Sequence, residues 1–243
     1  MIVHGPASIL PLRVTDLSYC VRGKMLVDRV SFTLERGRRT IVLGPNGAGK
    51  TLLLSLCHGL IAPNAGHVEW QGTGAAAGRK RHAMVFQNPV MLRRSMRANL
   101  LHALSLNGVG WRERRARTEL ALDRFGLGTI AERPARVASS GEKQRLALAR
   151  AWALKPEVLF LDEPTSALDP SATRIIEELV RGFAAEGVKV VMTTHDLGQA
   201  RRLADEVLFL HRGQLLEHAP AGEFFAGPKT EEGHAFLAGN LLW

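Results

Sequence analysis

Residues 44–51 read Gly44-Pro45-Asn46-Gly47-Ala48-Gly49-Lys50-Thr51, the pattern GxxxxGK[ST], and their setting decides the expected fold. The run before them, TIVLG (40–44), is short, apolar and β-branched, and TLLLSLCHGL (51–60) after them has a helical pattern. A glycine-rich loop between a strand and a helix can curl so that successive backbone N–H groups point at phosphate oxygens, helped by the positive end of the helix. In that arrangement Lys50 holds the β- and γ-phosphates and Thr51 gives its hydroxyl to Mg²⁺. With glycine at about 7% of residues, chance would produce the pattern somewhere in such a chain with odds on the order of 1%. A glycine turn without a ligand is the weaker reading.

Working outward, strand-like and helix-like segments alternate, which predicts a parallel sheet covered by helices. PNAG (63–66) reads as a turn, HVEWQG as a strand, GTGAAAG (72–78) as a flexible stretch and AMVFQ (83–87) as a strand broken at Asn88-Pro89. From about 92 to 155 the pattern is helical: SMRANLLHALSL, WRERRARTELALDRFGL and GEKQRLALARAWALK, ending before Pro156. In VLFLD (158–162) the run VLFL is apolar throughout, as a strand buried on both faces should be. A helix (SATRIIEELVRGFAAEG), a strand (VKVVMTTH) and a short helix (LGQARRLAD) follow, and EVLFLHRGQLLEH reads as a hairpin turning at Arg212-Gly213. The strand-rich flanks enclose a helical insert, and no internal repeat is visible.

The second chemical signal lies 112 residues after Lys50, where the apolar strand delivers Asp162 and Glu163. An acid at the end of a buried strand beside a phosphate loop can complete a Mg²⁺ shell, the role read for Asp162. Glu163 can then take a proton from a water attacking the γ-phosphate. Taken singly, other residues have plain readings. Gln87 could be an exposed strand-end amide, His195 could satisfy a local hydrogen bond, and SALD (166–169) could be a helix entrance capped by Asp169-Pro170. ASSGE could likewise be a helix cap, with Ser139 or Ser140 at the N-cap and Glu142 following.

Composition narrows the class. The chain has 243 residues, 46% hydrophobic and 23% charged, an ordinary globular balance, and no apolar run approaches the eighteen or so residues that span a bilayer. The N-terminal MIVHGPASILPLRV lacks the basic start and long apolar centre of a signal peptide, so a soluble cytoplasmic chain is expected. Cys20 and Cys57 are too few for a disulfide framework. The formal charge of +9 suits nucleic acid, an anionic membrane surface or polyphosphate, with clusters at Arg79-Lys80-Arg81 and WRERRAR (111–117). Beyond Trp111 at its start, no aromatic residue is interleaved among the charges of WRERRAR to stack bases, so a solvated helix face is preferred there and no nucleic-acid partner is expected.

Together these residues resemble the ATP-binding cassette family over nearly the whole chain. GPNGAGKT is similar to the family's Walker A loop and VLFLDE to its Walker B strand. Gln87 resembles the Q-loop glutamine, which in the family senses Mg²⁺ and the attacking water. ASSGEKQRLALARA (138–151) resembles the signature helix, with Ser139, Ser140, Gly141 and Glu142 at its start. Ser166-Ala167-Leu168-Asp169 resembles the D-loop, and His195 the switch histidine that contacts the γ-phosphate. Two departures stand out: Ala138 and Ser140 replace the usual leucine and first glycine of the signature. The usual aromatic position for stacking adenine falls on Val21, with Tyr19 two residues earlier and, in a strand, on the same face.

The resemblance implies an α/β fold, a P-loop NTPase (RecA-like) core with a parallel sheet, an antiparallel β subdomain and a helical insert carrying the signature. The expected division is 1–87, the N-terminal part of the core with the β subdomain, 88–155, the helical subdomain, and 156–243, the C-terminal part of the core. It implies an ATPase that uses ATP and Mg²⁺, pairs head-to-tail with a second copy so that each signature covers the other's nucleotide, and drives separate transmembrane permease subunits from the cytoplasmic face of the membrane. FQNPVMLRRSMRANL (86–100) and GEFFAGPKTEEGHAFLAGNLLW (222–243) resemble oxyanion importers of the tungstate type, with molybdate and phosphate as neighbours, which adds a solute-binding protein as a partner. An exporter or lipoprotein-release ATPase has the same motifs. A translation cassette protein would carry two cassettes. A DNA-repair ATPase would need a long coiled coil between Lys50 and Ala138, where no heptads are sustained.

Overall fold

Two sheets organise the chain, described by a computed structural model for residues 8–75 and 81–240. Parts of four sequence features lie outside the described residues: 1–7 of the N-terminal stretch, Arg79 and Lys80 of the basic triplet, 76–78 of the 72–78 stretch, and 241–243 of the tail.

The N-terminal strands β1 (Leu12–Val21) and β2 (Lys24–Leu34) form a hairpin through Arg22-Gly23, both left-handed, and β4 (Ala65–Trp70) pairs antiparallel with the other edge of β1. The larger sheet has the order β5 (His82–Val85), β6 (Val158–Asp162), β7 (Lys189–Thr193), β3 (Thr40–Leu43), β8 (Glu206–His211), β9 (Gln214–Pro220). Its neighbours are parallel except β8–β9, the hairpin that turns at Arg212-Gly213. β3, β6 and β7 are buried at every residue, in keeping with helices on both faces.

Helix α1 (Lys50–His58) follows the phosphate loop and stops at Gly59, whose left-handed φ of 77° closes it short of the ten-residue run read from the pattern. The insert between β5 and β6 holds α2 (Met96–Leu106), α3 (Trp111–Arg124) and α4 (Ser140–Ala153). Their apolar faces meet through Leu100, Leu104, Leu122 and Leu146, which join the cluster that continues under the large sheet. Asp169 caps α5 (Pro170–Ala185), accepting from the N–H groups of Ser171 and Ala172, with Pro170 at the first helical position. Helix α6 (Leu197–Leu203) follows β7, and the chain closes with α7 (Ala221–Ala226) and α8 (Glu231–Leu237), two short helices that the sequence pattern did not announce.

At the amino-terminal ends of the strands, away from the phosphate loop, Lys189 and Glu206 form a buried ion pair at 2.9 Å. Burial alone would raise the Glu206 carboxyl, but bonds from His218 and Thr40 and the charge of Lys189 outweigh it and hold it down at about 2. A carboxyl that titrates lower when folded than its ordinary 4.5 stabilises the fold fully above that value, and the contribution is lost as pH falls toward 2. Lys189→Ala leaves the buried carboxylate without its buried cation, with only the exposed Arg38 guanidinium at 3.8 Å, and is expected to cost about 3 kcal/mol at pH 7. Urea unfolding checks this, and the cost should shrink when the titration is repeated near pH 3.

Candidate active site

The crevice lies at the carboxyl ends of β3, β6 and β7, where a parallel sheet leaves loops free to converge. Leaving β3, the chain turns at Gly44, whose φ is 152° and where a Cβ would fall 2.0 Å from the Leu210 carbonyl oxygen. Gly49, at φ 98°, leads into α1 with a virtual Cβ 2.8 Å from the Leu26 carbonyl oxygen. Both positions therefore need glycine for conformation and for space. Gly44 and Ala48 are buried and shape the loop, Pro45 is half-buried, and Asn46 and Gly47 are exposed at its tip.

Lys50 turns its ammonium back over the loop, donating to the carbonyls of Gly44 at 2.8 Å and Pro45 at 3.0 Å, and stands 3.6 Å from a Glu163 oxygen. Burial pushes its pKa down, against the pull of Glu163 and Asp162. Thr51 donates to Asp162, with oxygens at 2.8 and 2.9 Å. Asp162 is buried at the end of β6 and also accepts from the Thr193 hydroxyl at 2.9 Å. Glu163 follows with a left-handed φ of 42°, and its second oxygen lies 3.0 Å from His195 Nδ1. Ser166 donates its hydroxyl to the Glu163 carbonyl at 3.1 Å.

These groups frame a polar cavity of about 640 Å³, lined by Asn46, Gly47, Gly49, Lys50, Thr51, Gln87, Glu163, Ser166 and His195, with Leu26 and Leu52. Gln87 is exposed two residues beyond β5 and also lines a second cavity with Ser140, Lys143 and Gln144. It thus stands between the phosphate loop and the foot of α4.

Some sequence-predicted residues are not brought here. Ser139, Ser140, Gly141 and Glu142 form the N-terminal turn of α4 outside the cavity. Ser139 is the N-cap, accepting from the Glu142 N–H at 3.2 Å while Glu142 accepts from the Ser139 N–H at 2.7 Å. Asp169 is occupied in capping α5. Tyr19 and Val21 do not line the cavity either. Tyr19 packs against the apolar cluster beneath α1 and Val21 is exposed on the hairpin, whereas the apolar residue reaching the cavity from that hairpin is Leu26. Leu26 carries no signal in the sequence, because it reaches the cavity only through the fold of the β1–β2 hairpin.

An oxygen-only set, the Thr51 hydroxyl beside the Asp162 carboxylate, suits a hard cation held jointly with phosphate. Among the described residues, no group of three or more His, Cys, Asp or Glu could form a metal cage from the protein alone.

The model of one protein family, described as ABC transporter, matches residues 27–166. The phosphate import ATP-binding protein PstB 2 of Natronomonas pharaonis is 37% identical over 96% of this chain and 88% of its own length. The tungstate uptake system ATP-binding protein TupC of Peptoclostridium acidaminophilum is 35% identical over 86% of this chain and 98% of its own. The nickel import ATP-binding protein NikO of Rhodobacter capsulatus is 39% identical over 86% and 89%. A solved ATP-binding subunit of an ABC transporter superposes with a TM-score of 0.80 at 26% identity, covering 94% of this chain and all of the other. The cbiO1 subunit of the Clostridium perfringens cbiONQ transporter complex gives 0.79 at 28% identity, covering 89% and 90%.

Proposed function

Because the chain belongs to the ABC transporter family, as one of its ATP-binding and ATP-hydrolysing subunits, we propose that Glu163 is the base for hydrolysis and that Lys50, Thr51, Asp162, Gln87 and His195 complete its site. The observation that carries this is the placement of the Glu163 carboxylate between the Lys50 ammonium and the His195 ring on the wall of the phosphate-loop cavity. Loop N–H groups and Lys50 hold the phosphates, and Glu163 takes the proton of the attacking water. His195, hydrogen-bonded to Glu163, orients that carboxylate and reaches toward the γ-phosphate. Thr51 and Asp162, with Gln87, would hold Mg²⁺, which supplies charge neutralisation to the phosphates when bound.

The signature turn acts on a second copy of the chain. In the first turn of α4 the N–H groups of Ser140 and Gly141 precede the first intrahelical bonds and form an anion-binding end, yet neither residue lines the phosphate cavity of its own chain. A head-to-tail pair puts that turn over the partner's γ-phosphate, and hydrolysis lets the halves part.

The motion passes to a separate permease through an apolar groove of about 510 Å³ between β5, α2 and α4, bordered by the exposed side chains of Leu60, Phe86, Val90 and Leu106. Arg150 lines the same groove and donates to the Val90 carbonyl at 3.0 Å, and burial pushes its pKa down. A permease segment with an apolar face and an acidic group fits such a groove. Among the described residues no helix is long and apolar enough to cross a membrane. In this reading the chain is held at the cytoplasmic face of the membrane by that permease.

The cargo reading is import of an inorganic oxyanion, with tungstate first, served by a solute-binding protein. It is supported by the segments after Gln87 and at the tail and by the tungstate and phosphate import proteins among the relatives. Cells lacking the chain are expected to lose high-affinity tungstate uptake while retaining nickel uptake. Unchanged tungstate uptake with lost phosphate uptake would move the assignment to phosphate, and loss of nickel uptake alone would end the oxyanion reading.

A further inference from the structure

Thr193 ends β7 and is fully buried, and its single hydroxyl serves both acidic residues of the site. Its oxygen accepts from the Glu163 N–H at 2.8 Å and donates to Asp162 Oδ1 at 2.9 Å. With its proton and a lone pair both engaged, the hydroxyl is fixed from two sides. Glu163 adopts a left-handed φ of 42°, a conformation that a residue with a Cβ keeps only where its surroundings hold it. The holding contacts are visible at both ends of the residue. Thr193 takes its N–H, and the Ser166 hydroxyl bonds its carbonyl at 3.1 Å. So held, the Glu163 carboxylate lies 3.0 Å from His195 Nδ1 and 3.6 Å from Lys50 Nζ. On the other side, Asp162 Oδ1 receives Thr193 and Thr51 together.

From this arrangement we infer that Thr193 is a positioning residue for ATP hydrolysis, one hydroxyl setting the aim of the Glu163 carboxylate and the orientation of the Asp162 carboxylate at once. The inference rests on the assignment of Glu163 as base and Asp162 as the carboxylate beside Mg²⁺. Valine has nearly the shape of threonine but no hydroxyl. It leaves a buried N–H without its acceptor and releases one of the two donors that fix Asp162.

The experiment compares Thr193→Val and Thr193→Ser in the full chain. Steady-state ATPase is measured in the assembled transporter, and exchange of the Glu163 amide proton is followed by NMR. Losing a hydrogen bond that aims a charged group should lower kcat about tenfold in Thr193→Val, with KM for ATP changed by less than about twofold. The Glu163 amide should exchange at least about tenfold faster, reporting the backbone directly. Thr193→Ser, which restores the hydroxyl, should return both readouts to near the wild-type values. Were the hydroxyl only to stabilise the fold, its loss would lower the melting temperature and leave kcat alone. Wild-type kcat in Thr193→Val, or a Thr193→Ser as slow as Thr193→Val, overturns the inference. Should Thr193→Val not fold, Thr193→Ala, which cannot crowd the site, carries the same two expectations. An inactive Glu163→Gln beside a normal Thr193→Val would remove the role of Thr193 alone, whereas an active Glu163→Gln would remove the assignment on which it rests.

Discussion

Glu163→Gln is expected to lower ATP turnover by about 10²–10⁴-fold, the usual worth of a positioned base, while nucleotide binding survives. The amide keeps the size of the carboxylate and can still bond His195, and the contacts from Thr193 and Ser166 that hold the left-handed backbone at Glu163 do not use the carboxylate. What it lacks is a basic oxygen for the proton of the attacking water. Lys50→Ala should behave differently. The ammonium is buried in the curl of the phosphate loop and is the loop's own positive side chain, so its removal weakens nucleotide binding as well as hydrolysis. Binding of a fluorescent ATP analogue, measured beside steady-state hydrolysis, separates the two variants. Turnover in Glu163→Gln at more than a small fraction of the wild-type rate would mean that another group accepts the proton, and the base assignment would be withdrawn.

The parts of the site that were legible in the sequence are those whose chemistry depends on local order. A phosphate loop works through consecutive N–H groups, so Gly44 to Thr51 carry their meaning in eight adjacent letters. The buried strand ending in Asp162, with Glu163 after it, is legible for a related reason, since four apolar residues in a row running into two acids have few other uses. Asp169 announces its helix cap, and the cap of α4 is narrowed to Ser139 or Ser140, because a cap is made with residues two or three positions away. What escaped is made by contacts across the sheet. Thr193 meets Asp162 and Glu163 only because β7 lies beside β6, and nothing in VKVVMTTH distinguishes its hydroxyl from that of Thr194. Leu26 reaches the cavity because the β1–β2 hairpin folds over the phosphate loop, bringing the Leu26 carbonyl close to Gly49 and Gly213. Helices α7 and α8 are too short to show a period, and their place is set by the ring contacts of Phe224 and Phe236 with Phe209 on β8. The adenine contact expected at Tyr19 or Val21 illustrates the same limit. Counting along a strand gives a face, but the packing of Tyr19 against the core cluster takes that ring out of the cavity lining.

Ser139→Arg is the variant that tests the pairing of two chains, and it is expected to lower ATPase activity in the assembled transporter by at least about tenfold, or 1.4 kcal/mol of barrier. Ser139 caps α4 on the exposed face of the helical insert and takes no part in the phosphate cavity of its own chain. If the site were complete in one chain, arginine there would be a surface change that costs only the cap, about 1 kcal/mol of helix stability. If the turn must approach a partner's γ-phosphate, the long side chain stands where the phosphate has to sit. Ser139→Ala is the control, because it removes the same cap without the bulk. Ser140→Gly probes the neighbouring departure from the family pattern. Glycine is only a few tenths of a kcal/mol worse than serine near an N-cap, and Gly141 keeps its close approach to Ala172, so turnover in Ser140→Gly should change by less than about tenfold. A steady-state assay of the three variants, with folding checked by melting temperature, gives the answer. Loss of activity in Ser139→Arg with Ser139→Ala and Ser140→Gly active supports a nucleotide shared between two chains. Full activity in Ser139→Arg would show that this turn covers no nucleotide, and the head-to-tail mechanism would have to be abandoned.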